Sequence, residues 1–165
     1  MTAEPLSQAA RSLGILQAGA AILAQAAAPF DLPAQAAAAA RILDRLTTTL
    51  DRFATVHNFR SGLGLSAPQL GIPRAAVVIR AAHGERHALL NPRIIDQSAN
   101  TDEEYEGCLS FFDVRGLVIR PLTLHVEHQH LMTPRDRLGH MQTILLRNTD
   151  ARHLRLKVHR AGWTK

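Results

Sequence analysis

The sequence contains one cysteine, Cys108, and only two lysines, Lys157 and Lys165. One cysteine cannot form a disulfide within the chain, which excludes a disulfide-stapled fold and fits a reducing compartment. The apolar N-terminal stretch is broken by Gln17 and Gln25, and no uninterrupted run reaches the roughly 18 residues typical of a membrane-spanning helix. The first residues also lack the positively charged start of a secretory signal. We therefore expect a cytoplasmic protein that does not span a membrane.

The basic charge is concentrated towards the C-terminal end of the chain. Residues 1–130 have 11 Arg and no Lys against 12 Asp and Glu, which gives a net charge of −1. Residues 131–165 have 8 Lys and Arg against 2 Asp, which gives a net charge of +6. Such a step indicates a boundary, so we divide the chain into a domain of residues 1–130 and a basic segment of residues 131–165.

The N-terminal part of the chain predicts an arm followed by one long helix. Residues 1–30 are rich in alanine and are expected to form an arm that lies over the domain. Residues 31–57 contain the helix, which we place at Ala34–His57, with Asp31 and Pro33 as residue types typical of a helix start. Apolar residues recur at spacings of three and four and form one stripe. The residues of the stripe are Ile42, Leu43, Leu46, Leu50 and Phe53.

The region 58–130 predicts loops and strands. Gly62–Gln69 is expected to be a glycine-rich loop, and the acidic, polar run Asn100–Glu106 another loop. Pro121 favours a break between two of the strands. Gly139–Lys165 shows no strong period. The predicted strands are Ala75–Arg80 and Ala88–Ile95, which can pair as a hairpin, followed by Leu117–Ile119 and Leu122–His130.

Two short segments carry residues suited to chemistry. Gly62-Leu63-Gly64-Leu65-Ser66-Ala67-Pro68-Gln69 allows the backbone to approach another group closely, although an ordinary tight loop has the same composition. Glu106-Gly107-Cys108-Leu109-Ser110 leaves the sulfur of Cys108 accessible beside a glycine, although a lone cysteine is often a small buried apolar residue. Arg120 can pair with Glu106, as ion pairs in many protein cores do.

Together, these segments resemble the first two signatures of the peptide deformylase family, GxGLAAPQ and EGCLS, in the same order and at similar spacing. Ser66 stands where the first signature has an alanine. The run Tyr105–Gly116 looks like the version common in actinobacterial members, and Asn91-Pro92 and Ile119-Arg120 are further matching features. The resemblance covers about the first 130 residues. It implies an α+β fold in which short antiparallel sheets pack around helices, including a central helix near the C-terminus.

The resemblance also implies an activity and a cofactor. Peptide deformylases hydrolyse the N-formyl group from the N-terminal methionine of nascent polypeptides. They use one divalent metal, usually Fe²⁺, with Zn²⁺ or Ni²⁺ as alternatives, held by a cysteine and two histidines. Cys108 matches the cysteine ligand. The implied partners are N-formylmethionyl peptides and, as a candidate, the ribosome, with no membrane and no DNA.

The remaining site residues follow from the same resemblance. The side chain of Gln69 and the backbone N–H of Leu109 match the donors that face the carbonyl oxygen as charge develops on it. Gly64 matches the glycine whose backbone lies beside the bound peptide. Glu106 and Arg120 match a buried ion pair that braces the site.

The third signature of the family, HExxH, is not in the sequence. This motif places two histidines on one helix face and a glutamate beside the first. The corresponding window, Asn148–His159, contains His153 and His159 six positions apart, and no glutamate follows Glu127. The central helix that carries this motif is therefore in doubt in this chain.

Other histidines could replace the missing ligands. Strand alternation places His125 and Glu127 on one face and His128 and His130 on the other. We interpret this cluster as a solvated strand without metal, and a rebuilt shell from His128 with His130, or from His153 with His159, is the alternative.

Three functions remain open from the sequence. The chain is an active deformylase with an unusual metal shell, a deformylase-like peptide binder or relic without activity, or an RNA-binding or ribosome-binding protein that uses its basic segment. On the residues present in this chain, we favour the second function.

Overall fold

The computed structural model of the chain describes residues 6–56, 62–81, 84–111, 114–131 and 141–147. Within these ranges the protein has an α+β fold, as predicted. The helices are α1 (Leu6–Ser12) and α2 (Ala36–Val56), with 3-10 turns at Ala21–Ala24 and Ala67–Leu70. The strands are β1 (Leu63–Ser66), β2 (Ala76–Arg80), β3 (Arg86–Gln97), β4 (Thr101–Glu106), β5 (Gly116–Pro121), β6 (Thr123–Gln129) and β7 (Met141–Arg147).

Helix α2 forms where the apolar stripe predicts it. Leu46, Leu50 and Phe53 are at most 1% exposed and lie against strands β1 and β2. The helix begins at Ala36, after a turn in which the N–H of Gln35 donates to the carbonyl of Asp31 at 2.7 Å. The predicted last residue, His57, lies outside the described residues. Burial of the stripe therefore stabilises this helix.

The strands β1, β2, β3, β6 and β7 form one antiparallel sheet in the order β1-β2-β3-β6-β7. The predicted hairpin of β2 and β3 is confirmed, because Val78 pairs with Ala88 and Val77 with Leu89. The prediction of a loop over Gly62–Gln69 is wrong in its first half, since β1 pairs with β2 there. Backbone pairing with a buried neighbour outweighs the loop preference of the glycines.

The sheet has buried residues on both faces, because a period of two points successive side chains to opposite faces. Leu65, Val78 and Leu90 face α2 and, together with the buried residues of that helix, belong to the main core. The residues of the other face form a second cluster and are each at most 1% exposed. These residues are Val77, Ile79, Leu89, Leu124 and Val126.

Strands β4 and β5 form a separate two-stranded hairpin. The prediction of a loop over Asn100–Glu106 is wrong, because Thr101–Glu106 pairs with Gly116–Pro121 along its whole length. The acidic side chains of Asp102, Glu103 and Glu104 remain exposed on this hairpin, so they need not be desolvated. Pro121 ends β5, in agreement with the predicted break.

Strand β7 lies within the basic segment 131–165, where the sequence pattern predicts no element. It pairs with β6 along its length, from Gln129 with Met141 to Thr123 with Arg147. The division at residue 130 stays a prediction. In the described part of the chain, neither helix has both the length and the apolar character needed to span a membrane.

The buried side chain of His128 predicts how the free energy of unfolding depends on pH. It is 7% exposed on β6, and burial, with smaller contributions from His130 and His87, lowers its pKa from the ordinary value of 6.5; a hydrogen bond to the Gln129 carbonyl opposes this shift. As the pH falls below about 6.5, the unfolded chain takes up a proton that the folded protein does not. We expect the free energy of unfolding to be highest above this pH and to decrease below it.

Urea unfolding at about pH 7.5 and about pH 5.5 measures this loss. His128→Leu should reduce the difference between the two conditions. His125→Gln is the matched control, since the His125 side chain is 43% exposed. Equal pH dependence in wild type and His128→Leu would contradict the assignment to His128.

Candidate active site

Gln69 lies in the 3-10 turn that follows β1, and its amide is held in one orientation. Its Oε1 accepts hydrogen bonds from the backbone N–H of Ser66 at 3.0 Å and from the Ser66 hydroxyl at 3.2 Å. A backbone N–H can only donate, so the atom facing it must be the amide oxygen. The side-chain NH₂ group of Gln69 consequently points away from Ser66, while the whole residue is only 4% exposed.

The NH₂ group of Gln69 joins the two sequence signatures. Its Nε2 donates to the Oγ of Ser110 at 2.9 Å and lies 3.7 Å from the Sγ of Cys108. Ser110 is 1% exposed, whereas Cys108 is half-buried. The sulfur is therefore reachable beside a buried amide that has a fixed direction.

Leu109 and Gly64 line the same region. The side chain of Leu109 is 3% exposed and belongs to the main core, which fixes its backbone in place. Within the described ranges, the N–H of Leu109 makes no hydrogen bond. Gly64 is buried on β1 opposite Ile79, at the end of the sheet order. A backbone donor at Leu109 and a strand position without a side chain at Gly64 are thus available in the two segments that contain Cys108 and Gln69.

Glu106, the last residue of β4, and Arg120, near the end of β5, form an ion pair. The Nη2 of Arg120 lies 3.2 Å from Oε2 of Glu106, and the two side chains are 13% and 14% exposed for Glu106 and Arg120 respectively. Nε of Arg120 adds two longer contacts of 3.3 and 3.4 Å. Because Glu106 directly precedes Gly107 and Cys108, this pair fixes the point from which the cysteine segment leaves the hairpin.

The described residues do not fit the metal that the resemblance implies. Among them, no group of three or more His, Cys, Asp and Glu side chains could hold an ion. His125 bonds to Asp96 at 3.1 Å, and the Nδ1 of His130 lies 2.8 Å from the carbonyl of Leu131. Cys108 alone supplies a soft ligand there. His153 and His159 lie outside the described residues.

Sequence reasoning did not assign roles to three residues that hold this site together. Ser66 and Ser110 bind the two ends of the Gln69 amide. Gln17 donates from its Nε2 to the carbonyl of Leu109 at 3.0 Å. The serines stand within the two signatures, which is a usable signal. Gln17 is 92 positions from Leu109, and no local pattern links residues so far apart.

Known proteins resemble the chain in sequence and in structure. Residues 12–152 match the sequence profile of the polypeptide deformylase family. The peptide deformylase of Natranaerobius thermophilus is 36% identical over 84 residues, which cover 51% of this chain and 54% of that protein. Peptide deformylase 2 of Clostridium perfringens is 40% identical over 78 residues, which cover 47% and 48%. The chain thus aligns with about half the length of these curated relatives.

Solved deformylase structures share the fold. A class I type b peptide deformylase from Acinetobacter baumannii superimposes with a TM-score of 0.76 at 24% identity, over 90% of this chain and 92% of that chain. The Thermotoga maritima peptide deformylase gives a TM-score of 0.75 at 23% identity, over 91% of both chains. The profile match extends over most of the sequence and includes both signatures, which the structure brings together at Gln69 and Cys108; the chain therefore belongs to the peptide deformylase family.

Proposed function

We propose that this chain binds N-formylmethionyl peptides and does not hydrolyse them at the rate of a complete deformylase. The observation that carries the proposal is the contact between the Gln69 amide and the segment Cys108–Ser110, beside strand β1. This arrangement offers directed donors to a carbonyl oxygen, while the described residues offer no complete metal shell.

The formyl oxygen is the group that these donors suit. The Gln69 amide has two N–H bonds, of which one donates to Ser110 and the other faces the sulfur of Cys108. Sulfur is a weak acceptor, so a carbonyl oxygen can replace it as the partner of the second N–H and can also accept from the N–H of Leu109. Hydrogen bonds are stronger in a site shielded from water, and Gln69 is nearly inaccessible to solvent. A formylated amine therefore gains contacts here that a free amine does not.

The backbone of a bound peptide can lie beside β1. This strand stands at the end of the described sheet, so its outer edge can accept an added strand from a ligand. Gly64 has no side chain, which allows a close approach of the two backbones. The peptide then extends from the formyl group along β1.

Hydrolysis requires a metal-bound hydroxide, and the described residues do not supply a complete set of metal ligands. In metal-dependent hydrolysis, a bound ion lowers the pKa of water to about 7 and creates hydroxide. Cys108 can give such an ion one ligand, whereas the window Asn148–His159 has neither the paired histidines nor the glutamate of HExxH. We therefore derive binding from this site and no catalytic step.

The test compares two tripeptides that differ only in the N-formyl group. We expect calorimetry to show at least about tenfold tighter binding of the formylated N-formylmethionyl tripeptide, because only the formyl oxygen gives the Leu109 N–H and the Gln69 amide a carbonyl acceptor. No formate should be released in the presence of Fe²⁺, Zn²⁺ or Ni²⁺. Gly64→Val should abolish binding, because a side chain beside the outer edge of β1 obstructs the close approach of a peptide backbone.

Gly116→Val is the matched control, since Gly116 is an exposed strand glycine with nothing within 4 Å of an added Cβ. Equal affinity for the two tripeptides would contradict formyl recognition. Formate release that disappears in Cys108→Ala would instead show an active metal shell built with residues outside the described ranges. Absence of any peptide binding would direct attention to the basic segment 131–165 and to RNA, whose binding weakens steeply with salt.

A further inference from the structure

A short segment of the N-terminal arm contacts both signatures at once. We call residues 16–18 the strap. The N–H of Leu16 donates to the carbonyl of Gln69 at 2.8 Å, and the N–H of Ala18 donates to the carbonyl of Ser110 at 2.8 Å. Between them, the Gln17 side chain donates to the carbonyl of Leu109 at 3.0 Å. The strap therefore bridges the two segments that hold the candidate donors.

The strap is itself firmly anchored. Ile15, the residue before it, is 1% exposed in the main core, and its N–H donates to the carbonyl of Ala10 at 2.9 Å. Gly14 has a φ of 78°, a left-handed conformation that favours glycine and ends the turn after α1. The strap consequently leaves the core at a fixed point and in a fixed direction.

Gln17 acts on the candidate donors through the backbone of Leu109. Its NH₂ group donates one hydrogen to the carbonyl of Leu109 and the other to the carbonyl of Ile15, at 3.1 Å. Holding the Leu109 carbonyl orients the peptide plane between Leu109 and Ser110. The N–H of Leu109 is joined to this plane through one Cα, and on the other side the hydroxyl of Ser110 accepts from Gln69. One side chain therefore restrains the backbone on which both groups that would face a formyl oxygen depend.

We propose that Gln17 is a positioning residue that restrains the backbone carrying the Leu109 N–H and, through it, the Ser110 hydroxyl that accepts from the Gln69 amide. Its consequence for peptide affinity rests on the function proposed above, whereas its effect on the two donors does not. The proposal concerns geometry, since Gln17 does not itself reach the place of the ligand.

The test replaces the donor without changing the length of the side chain. Gln17→Met and Gln17→Glu both lack the side-chain N–H bonds that reach Leu109. In ¹H–¹⁵N spectra, we expect both variants to shift the backbone signals of Leu109 and Ser110 and the side-chain signal of Gln69. Affinity for the N-formylmethionyl tripeptide should fall about tenfold, as expected when one oriented hydrogen bond is lost.

Gln25→Met is the matched control, because Gln25 is an exposed glutamine in the same arm. The proposal is overturned if both Gln17 variants leave the three signals where Gln25→Met leaves them. It is also overturned if both variants unfold, because Gln17 would then serve stability alone. If the wild type binds no peptide, the proposed function fails, while the spectra still decide whether Gln17 orients Leu109 and Gln69.

Discussion

Replacing Gln69 with leucine should lower the free energy of unfolding by about 3 kcal/mol, because the change leaves buried polar groups without partners. Leucine has a similar volume and cannot accept from the backbone N–H and hydroxyl of Ser66 or donate to Ser110. Ser66 and Ser110 are 4% and 1% exposed, so water cannot replace these hydrogen bonds without a rearrangement. Peptide binding should be lost together with the directed amide.

Chemical denaturation followed by circular dichroism measures the stability change. Gln8→Leu is the matched control, because Gln8 is an exposed residue of α1 and its replacement should change stability by less than about 0.5 kcal/mol. A Gln69→Leu protein as stable as Gln8→Leu would show that the serines find other partners. The proposed formyl site would then lose its structural basis.

Replacing Arg120 with leucine should lower the free energy of unfolding by about 2–3 kcal/mol, since it leaves the Glu106 carboxylate buried without its counter-ion. The two side chains are 14% and 13% exposed, so solvent screens the pair only slightly. The effect should extend to Cys108, because Glu106 is two positions before it at the end of β4. We expect faster alkylation of Cys108 in the variant than in wild type.

Arg93 provides the matched control for this ion pair. Its Nη2 lies 2.7 Å from Glu127, closer than Arg120 lies to Glu106, but the two side chains are 59% and 26% exposed. Arg93→Leu should therefore cost less than about 1 kcal/mol, as is usual for solvated pairs. A double variant, Glu106→Leu with Arg120→Leu, should recover much of the stability lost by Arg120→Leu alone. Equal losses in Arg93→Leu and Arg120→Leu would show that burial does not decide the strength of these pairs.

Elements with a strong local pattern are predictable in this chain. The apolar stripe predicts α2, because residues at spacings of three and four share a helix face that needs burial. The runs around Val78 and Leu89 predict β2 and β3 for the equivalent reason in strands. The spacing between Gln69 and Cys108 within the two signatures likewise identifies the family from sequence.

Elements that depend on a distant partner were predicted wrongly or not at all. The acidic run of β4 has a poor strand pattern and becomes a strand because β5 pairs with it residue by residue. Strand β1 contains Gly64, which by itself favours a loop, and pairing with β2 overrides that preference. In β7 the apolar residues show no strong period, and the pairing with β6 determines the strand.

The sequence alone determined the family and the long helix, because each of these depends on residues close together in the chain, and for the same reason it predicted Gln69, Cys108 and Leu109 as site residues. It also determined that HExxH is missing, since that motif is local. Only the tertiary structure decided which groups the Gln69 amide donates to, which edge of the sheet Gly64 occupies and what Gln17 contacts. The contacts of Gln69 with Cys108 and of Gln17 with Leu109 join segments 39 and 92 positions apart, and the place of Gly64 depends on the pairing of β1 with β2. Such contacts form only when the main core brings the arm, β1 and the cysteine segment together, so no local pattern records them.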